Sequence, residues 1–200
     1  MATLEFFFDC SSPWTYLAFT RVQPVVARTG ADIVWKPILV GGVFNAVNRD
    51  VYERRANPDP RKAAYSAKDL GDWARLTGLR IVMPPPVFPV RATLAMRCAL
   101  AAQEEGKVVE FSRHCFEAYW ADGKDISLPH VVGEICERAD LDAAHILDRV
   151  QAAEIKDRLR ANTDEVIARG GFGSPTMFVD GTDMYFGNDR MELVEAALAR

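Results

Sequence analysis

The sequence has no C-x-x-C pair, no long apolar run and no run of more than two basic residues. No stretch reaches the roughly 18 apolar residues that a membrane-spanning helix needs. The formal net charge is −4 and the cations are dispersed, so neither a nucleic-acid partner nor an anionic membrane surface is expected. These absences favour a protein that works on small molecules.

Cysteine and histidine are both scarce. The four cysteines stand far apart, at Cys10, Cys98, Cys115 and Cys136. This spacing fits neither a metal finger nor the paired cysteines of secreted proteins, and it suits a reducing compartment. The three histidines lie in no ligand spacing, so no metal site is predicted. The first residues lack the features of a secretory signal, and we therefore expect a cytoplasmic location.

Both ends of the chain predict strands. Residues 3–8 form a short apolar run, a helix is predicted from Pro13 to Gly30, and 31–35 predicts a second strand. Near the other end, strands are predicted at 175–179 and 183–186, joined by a turn at Asp180-Gly181, with a final helix at 191–199. The two ends together predict one mixed sheet.

The middle of the chain predicts helices only. The apolar spacing places them at 62–76, 90–105, 108–120, 128–138 and 143–168, the last with a break. We therefore predict an α/β fold interrupted by a large all-helical insertion. The predicted boundaries are 1–46 and 166–200 for the sheet domain, and 47–165 for the inserted helical domain.

The most informative stretch is 9–18, which reads DCSSPWTYLA where the first strand passes into the first helix. It resembles the DsbA-type branch of the thioredoxin-like proteins, in which C-x-x-C occupies this turn. Here the four positions read Ser12-Pro13-Trp14-Thr15, so both sulfurs are absent. A closer resemblance is to kappa-class glutathione transferases and 2-hydroxychromene-2-carboxylate isomerases, whose motif Asp-x-x-Ser-Pro-x-x-Tyr-Leu-Ala is matched at every fixed position.

Further motifs extend this resemblance over nearly the whole chain. They are Asn57-x-x-Pro60-x-Lys62, Tyr65, Asp69, Trp73-Ala74, Gly78, Phe88-Pro89, Gly173-Ser174-Pro175-Thr176-x-Phe178 and 186–190, which reads FGNDR. The resemblance implies a thioredoxin-like fold, glutathione as the cofactor, and a homodimer. Disulfide exchange is not carried over, because the sulfurs that perform it are missing.

The resemblance also implies roles for particular residues. Ser12 is the expected catalytic residue, and it is expected to contact the glutathione sulfur. Ser174, ahead of an expected cis-proline, is expected to bind the cysteinyl part of glutathione through its main chain. The predicted glutathione-binding residues are Ser12, Ser174, Phe186, Gly187, Asn188 and Asp189. The predicted substrate-binding residues are Asn57 and Lys62.

Elementary electrostatics supports the role of Ser12. A helix N-terminus carries about half a positive charge and free N–H groups, so with a capping hydroxyl it can hold a thiolate and lower its pKa. No histidine lies nearby in sequence to act as a base for a serine nucleophile. The alternative is that Ser12 only caps its helix.

Other residues also have simpler readings. The motif at Ser174 could be a plain turn, and Asn188 could be only a helix cap. For Arg54 and Arg55 a solvated basic surface is the preferred interpretation. Cys10 is expected to be buried and inert.

The resemblance implies that the function is that of a glutathione-dependent isomerase. It would interconvert 2-hydroxychromene-2-carboxylate, or a related aromatic carboxylate, with trans-o-hydroxybenzylidenepyruvate through reversible thiolate addition. One alternative is a kappa-class-like transferase that conjugates glutathione to electrophiles. The other is a redox-inactive, DsbA-like binding protein.

Overall fold

Four strands form one mixed sheet in this computed structural model, which describes residues 2–200. The strands are β1 (Thr3–Phe8), β2 (Asp32–Pro37), β3 (Thr176–Val179) and β4 (Asp183–Phe186). Their order across the sheet is β2-β1-β3-β4. β1 pairs in parallel with β2 and antiparallel with β3, and β4 pairs antiparallel with β3.

The register of the central strands determines which loops meet. Phe7, near the end of β1, lies opposite Thr176, the first residue of β3. Because the two strands run in opposite directions, the residues that leave β1 lie beside those that enter β3. The loop that precedes α1 therefore meets the loop that precedes β3.

Ten α-helices accompany this sheet in the described part of the chain. They are α1 (Pro13–Thr29), α2 (Val40–Val47), α3 (Asp50–Ala56), α4 (Pro60–Thr77), α5 (Thr93–Glu104), α6 (Val108–Phe116), α7 (Pro129–Arg138), α8 (Ala143–Arg149), α9 (Ala153–Ala168) and α10 (Met191–Leu198). A π-helical turn, Glu117–Ala121, extends α6, and a 3-10 turn, Asn188–Arg190, precedes α10.

The predicted architecture is confirmed. Within residues 2–200, everything between β2 and β3 that is regular is helical, as expected of an all-helical insertion. Two helices, α2 and α3, were not predicted, and the predicted helix at 143–168 is two helices separated by residues 150–152. The domain boundaries 1–46 with 166–200, and 47–165, stay a prediction.

One buried aromatic cluster joins the sheet to the helical segment. Phe19 of α1 packs against Trp35 of β2 and Phe116 of α6, with ring centroids 5.1 and 5.2 Å apart. Tyr16 stacks on Phe116 at 5.1 Å with an interplanar angle of 4°. Burying each such ring contributes about 1.5–3 kcal/mol. These contacts hold α1, which begins directly after Ser12, against both the sheet and the helical segment.

Among residues 2–200, no helix combines the length and the apolar character needed to cross a bilayer.

Candidate active site

Ser12 caps α1, as the sequence predicts. Its backbone is extended, with φ −106° and ψ 121°, and its Oγ accepts a hydrogen bond from the main-chain N–H of Thr15 at 3.2 Å. Pro13 occupies the first helical position, where its lack of an N–H costs nothing. The hydroxyl therefore sits at the positive end of a 17-residue helix.

Ser174 lies directly across from this cap. The Ser12 hydroxyl donates to the main-chain oxygen of Ser174 at 3.2 Å. The Oγ of Ser174 accepts from the N–H of Asp9 at 3.0 Å and shares a hydrogen bond of 2.7 Å with Oγ1 of Thr15. The Ser174–Pro175 peptide bond is cis, which confirms the prediction. The binding role of Ser174 stays a prediction.

Two main-chain donors beside Ser12 are unused. Within the described chain, the N–H groups of Trp14 and Ser174 have no protein acceptor. Trp14 is the second residue of α1, so its N–H belongs to the first helical turn. Together with the Ser12 hydroxyl, these groups form a set of donors suited to an anion and a peptide-like ligand.

The buried carboxylate of Asp9 holds the turn between β1 and α1 in place. Its carboxylate is 2% exposed and accepts hydrogen bonds from the N–H and hydroxyl of Ser11 and from the N–H of Val40, each at 2.8 Å. Burial raises the pKa of this carboxyl, and the hydrogen bonds from Ser11 and Val40 oppose that rise. Because Val40 begins α2, Asp9 ties the start of α1 to the start of α2.

Cys10 is kept away from the reactive side of the turn. It is 0% exposed, its N–H donates to Sδ of Met96 at 3.3 Å, and its main-chain oxygen accepts from the indole of Trp120 at 2.9 Å. Burial raises the pKa of its thiol well above the usual range. The thiol is therefore buried and protonated, in agreement with the expectation from the sequence.

A cavity of about 820 Å³ opens over Ser12 and Ser174. This lies within the size range of small-molecule sites, about 300–1,000 Å³. Six aromatic side chains contribute to its wall: Trp14, Phe44, Tyr52, Phe88, Phe172 and Phe186. Of the described residues that line it, only Arg54 and Arg55 carry a formal charge. The cavity is thus an aromatic, cationic pocket.

Gly173 allows the aromatic ring of Phe186 to lie close to the main chain beside Ser174. A Cβ atom at this position would lie 2.8 Å from Cε2 and 3.1 Å from Cζ of Phe186. The Phe186 ring in turn packs on Phe172, with centroids 4.3 Å apart. A side chain at position 173 would therefore require the Phe186 ring to shift.

The structure brings only part of the predicted site together. Ser12, Ser174 and Phe186 line the cavity, whereas Gly187 is outside its lining. Asn188 is buried, and its main-chain oxygen accepts from Arg21 at 2.5 Å. That contact is a structural role, and the predicted binding roles of Gly187 and Asn188 stay predictions.

Asp189, Asn57 and Lys62 also lie outside the lining. Asp189 forms an ion pair of 3.1 Å with Arg190. Asn57 ends α3, where its N–H donates to the carbonyl of Glu53 at 2.8 Å, and the side chain of Lys62 is on the exposed start of α4. The glutathione-binding role of Asp189 and the substrate-binding roles of Asn57 and Lys62 stay predictions.

Asn48, Arg54 and Arg55 are among the polar residues of the lining that were not predicted. Asn48 lines the cavity and donates from Nδ2 to the main-chain oxygen of Phe172 at 3.0 Å. Arg54 and Arg55, interpreted from the sequence as a solvated basic surface, line it as well. The cluster of cations in the sequence indicates that these arginines could matter. The sequence does not indicate which side of α3 faces the cavity, because no residue of α3 is buried and no apolar period marks one face.

Over residues 2–200, no three His, Cys, Asp or Glu side chains are grouped so that they could hold an ion.

Comparison with known proteins agrees with this geometry. The family model described as "DSBA-like thioredoxin domain" matches residues 3–199. The chain is 28% identical over 203 residues to the 2-hydroxychromene-2-carboxylate isomerase of Pseudomonas putida, covering 98% of this chain and 94% of that relative. It is 28% identical over 204 residues to glutathione S-transferase kappa 1 of Homo sapiens, covering 96% of this chain and 88% of that relative.

A solved structure is similar over the same length. It is a selenomethionyl 2-hydroxychromene-2-carboxylate isomerase, with a TM-score of 0.82 and 26% sequence identity, covering 99% of this chain and 95% of that one. Similarity therefore extends over the whole chain, including the helical segment that forms much of the cavity wall.

Proposed function

The chain belongs to the DSBA-like thioredoxin domain family, and from that premise we propose that it is a glutathione-dependent isomerase of aromatic carboxylates. The observation that carries the proposal is the Ser12 hydroxyl, placed at the start of α1 and facing the main chain of Ser174 inside an aromatic cavity. Relatives named as isomerases and as kappa-class glutathione transferases support an enzyme of this kind.

Disulfide exchange does not fit these residues. The positions of the reactive turn hold Ser12 and Thr15, and Oγ1 of Thr15 is already hydrogen-bonded to Ser174. The nearest cysteine, Cys10, is buried, and its thiol pKa is raised. A sulfur must therefore come from a bound molecule if this turn is to carry out thiol chemistry.

The cavity fits glutathione by its donors and acceptors. The free N–H of Ser174 and its carbonyl group offer an edge to which a short peptide can add as a strand. A peptide N–H that donates to the Ser174 carbonyl would replace the Ser12 hydroxyl there. The hydroxyl would then be free to turn toward the sulfur.

In the proposed reaction the protein stabilises negative charge on sulfur. The hemiketal of the chromene would open: the bond between C2 and the ring oxygen breaks, the proton of the C2 hydroxyl passes to that oxygen, and a phenol and a keto group result. The thiolate of bound glutathione would add to the conjugated carbon, moving an electron pair to the keto oxygen. After rotation about the resulting single bond, the electron pair would return and the thiolate would leave. Ser12 would donate its hydroxyl proton as a hydrogen bond to the sulfur, and Trp14 would donate its main-chain N–H. The dipole of α1 adds to both effects.

The proposed substrate is 2-hydroxychromene-2-carboxylate or a related aromatic carboxylate, and the product is trans-o-hydroxybenzylidenepyruvate. The double bond at the start is restored at the end, so nothing is oxidised and glutathione is returned. The aromatic wall provides a surface on which such a ring can pack. Asn57 and Lys62 are proposed to contact the substrate from the rim.

A second candidate is permanent conjugation of glutathione to an electrophile. The similarity to the kappa-class transferase, equal in identity to that of the isomerase, favours it. Both reactions use the same thiolate site, so the identity of the product distinguishes them.

A third candidate is a binding protein without glutathione affinity. It predicts that titration calorimetry detects no heat of glutathione binding. We also propose that the protein is a homodimer and that it is located in the cytoplasm.

The decisive experiment follows the absorbance of the chromene with and without glutathione, for the wild type and for Ser12→Ala. We expect fast turnover in the mixture of wild type and glutathione, turnover about a hundredfold slower for Ser12→Ala with glutathione, and none without glutathione. Equal rates in all four mixtures would overturn the proposal. Glutathione that stays attached to the product, detected by mass spectrometry, would establish the transferase instead.

A further inference from the structure

The charge of the cavity is distributed unevenly. Aromatic and aliphatic groups make up most of its wall, and the two charged residues of the lining, Arg54 and Arg55, are neighbours on α3. No Asp or Glu occurs among the lining residues in the described part of the chain. A pocket of this kind has a positive potential that favours an anion over a neutral ligand.

Arg55 is held in a particular environment. Its guanidinium carbon lies 5.6 Å from the ring centroid of Phe44 and 5.6 Å from that of Phe88. Phe44 belongs to α2, and Phe88 lies in the loop between α4 and α5. The two rings hold the guanidinium over the cavity by cation–π attraction.

The guanidinium of Arg55 also lacks a carboxylate partner. Arg28 and Arg149 bind Glu195 and Glu104 at 2.7 and 2.8 Å, yet no ion pair involves Arg55 anywhere in residues 2–200. Arg54 uses its Nε for the main-chain oxygen of Asp50 at 3.3 Å, which leaves its remaining donors unassigned. Two guanidinium groups at the cavity are therefore available to an incoming anion.

We propose that Arg55, assisted by Arg54, binds the carboxylate of the aromatic substrate and so selects aromatic carboxylates over neutral aromatic compounds. This deepens the proposed function and rests on it. It assigns the carboxylate to α3, and leaves Asn57 and Lys62 outside that contact.

The chemistry of the two partners matches. A guanidinium offers parallel N–H donors to both oxygens of a carboxylate, a geometry that an ammonium group cannot reproduce. The flanking rings of Phe44 and Phe88 offer apolar surface beside the charge, as an aryl carboxylate requires. Glutathione has carboxylates but no aryl group, and its cysteinyl part is expected at Ser174. The substrate is therefore the better occupant.

The test compares 2-hydroxycinnamate, a stable aromatic carboxylate, with its neutral primary amide. Binding is measured by titration calorimetry, with and without glutathione, for the wild type, Arg55→Gln, Arg55→Lys and Arg54→Gln. Arg49→Gln is the matched control, because Arg49 precedes α3, binds the main-chain oxygen of Asn45 and is outside the cavity lining. Arg55 is exposed, so its replacement should leave the fold intact.

The Arg55 variants are expected to lose affinity for the carboxylate and to keep their affinity for the amide. Arg55→Gln should weaken carboxylate binding by about 10- to 100-fold, the range expected for a charge-assisted hydrogen bond, and leave the amide unchanged. Arg55→Lys should recover only part of it, Arg54→Gln should have a smaller effect, and Arg49→Gln should match the wild type. Equal affinity of the wild type for carboxylate and amide would overturn the proposal.

Glutathione binding by the same variants separates the two sources of carboxylate. Unchanged glutathione affinity in Arg55→Gln is expected. Weakened glutathione affinity with intact 2-hydroxycinnamate binding would overturn the proposal, because the arginine would then serve the cofactor. If the wild type failed to bind glutathione at all, the proposed function would fail, and the titrations without glutathione would still decide the role of Arg55.

Discussion

The hydroxyl oxygen of Ser12 lies 3.2 Å from the main-chain oxygen of Ser174, although the two residues are 162 positions apart in the chain. The antiparallel pairing of β1 with β3 creates this proximity, because the loop leaving one strand lies beside the loop entering the other. Each half of the site is an ordinary structural feature alone. The proposed thiol site depends on their meeting beneath an aromatic wall.

Replacing Ser12 by alanine separates its two roles. Loss of the helix cap should lower the free energy of unfolding by about 1 kcal/mol. Loss of the donor to sulfur should lower kcat by about a hundredfold and shift the pH–rate profile to higher pH, because the thiolate forms less readily. Chemical denaturation and steady-state kinetics measure the two effects.

The matched control for this prediction is Asp142→Ala. Asp142 caps α8 by accepting from the N–H of His145 at 3.1 Å, and it lies outside the cavity lining. It should lose similar stability and keep full activity. Ser12→Thr, which retains a hydroxyl, should recover part of the rate. A Ser12→Ala variant with the kcat of the wild type would show that Ser12 serves only as a helix cap.

The sequence was sufficient to predict the ends of the chain. β1 and β4 have the predicted bounds, and α1 begins at Pro13 after Ser12, because capping chemistry and short apolar runs are local signals. The predicted turn at Asp180-Gly181 is also present, with positive φ at both residues. Local propensity and the final structure agree in these segments.

The residues around the cavity were harder to predict for physical reasons. α2 reads VGGVFNAV, with two glycines that disfavour a helix, and α3 has no buried residue, so no apolar period marks it. Which cations of the 54–62 segment face Ser12 depends on how these helices pack. Sequence reasoning therefore favoured Asn57 and Lys62, whereas Arg54 and Arg55 line the cavity.

The buried carboxyl of Asp9 should make stability depend on pH. Its folded-state pKa is raised from the ordinary value of 3.8, so its protonated form favours the folded state. This contribution is present at low pH and is lost as pH rises through the raised pKa. The unfolding free energy of the wild type, minus that of Asp9→Asn, should therefore fall between pH 3.8 and neutrality.

Asp9→Asn should also carry a loss that does not vary with pH. An amide has one oxygen, so either the donors of Ser11 or the N–H of Val40 would lose their acceptor, at a cost of about 1–3 kcal/mol. Urea denaturation across the pH range separates the two effects. A difference that grows with pH would mean that the hydrogen bonds outweigh burial and that the pKa is lowered.

The cysteines should resist thiol reagents until the protein unfolds. All four are buried and free, and burial raises the pKa of Cys136 to about 12 and that of Cys10 above its usual range. In the folded protein the thiols are therefore protonated and inaccessible to the reagent. A chromogenic disulfide at mildly alkaline pH should detect no fast-reacting thiol in native protein and four in denaturant. A fast thiol mapped to Cys10 would contradict this account of the turn.

The close approach of Gly173 to the aromatic wall leads to a prediction that combines packing with function. In Gly173→Ala, the new Cβ would lie 2.8 Å from the Phe186 ring, which must shift and so disturb its packing on Phe172. Overpacking of this kind costs about 1–3 kcal/mol. Because the ring lines the cavity beside Ser174, we expect weaker glutathione binding together with the loss of stability.

The double variant Gly173→Ala with Phe186→Leu tests this cause directly. Leucine is shorter than phenylalanine, so it should relieve the contact, and the double variant should be more stable than the sum of the two single changes predicts. Phe44→Leu is the matched control, since Phe44 also lines the cavity but its nearest atom lies 3.7 Å from the Gly173 Cβ position, an ordinary van der Waals distance. If both leucine variants compensated equally, the strain would lie in general packing of the loop and not in the contact between Gly173 and Phe186.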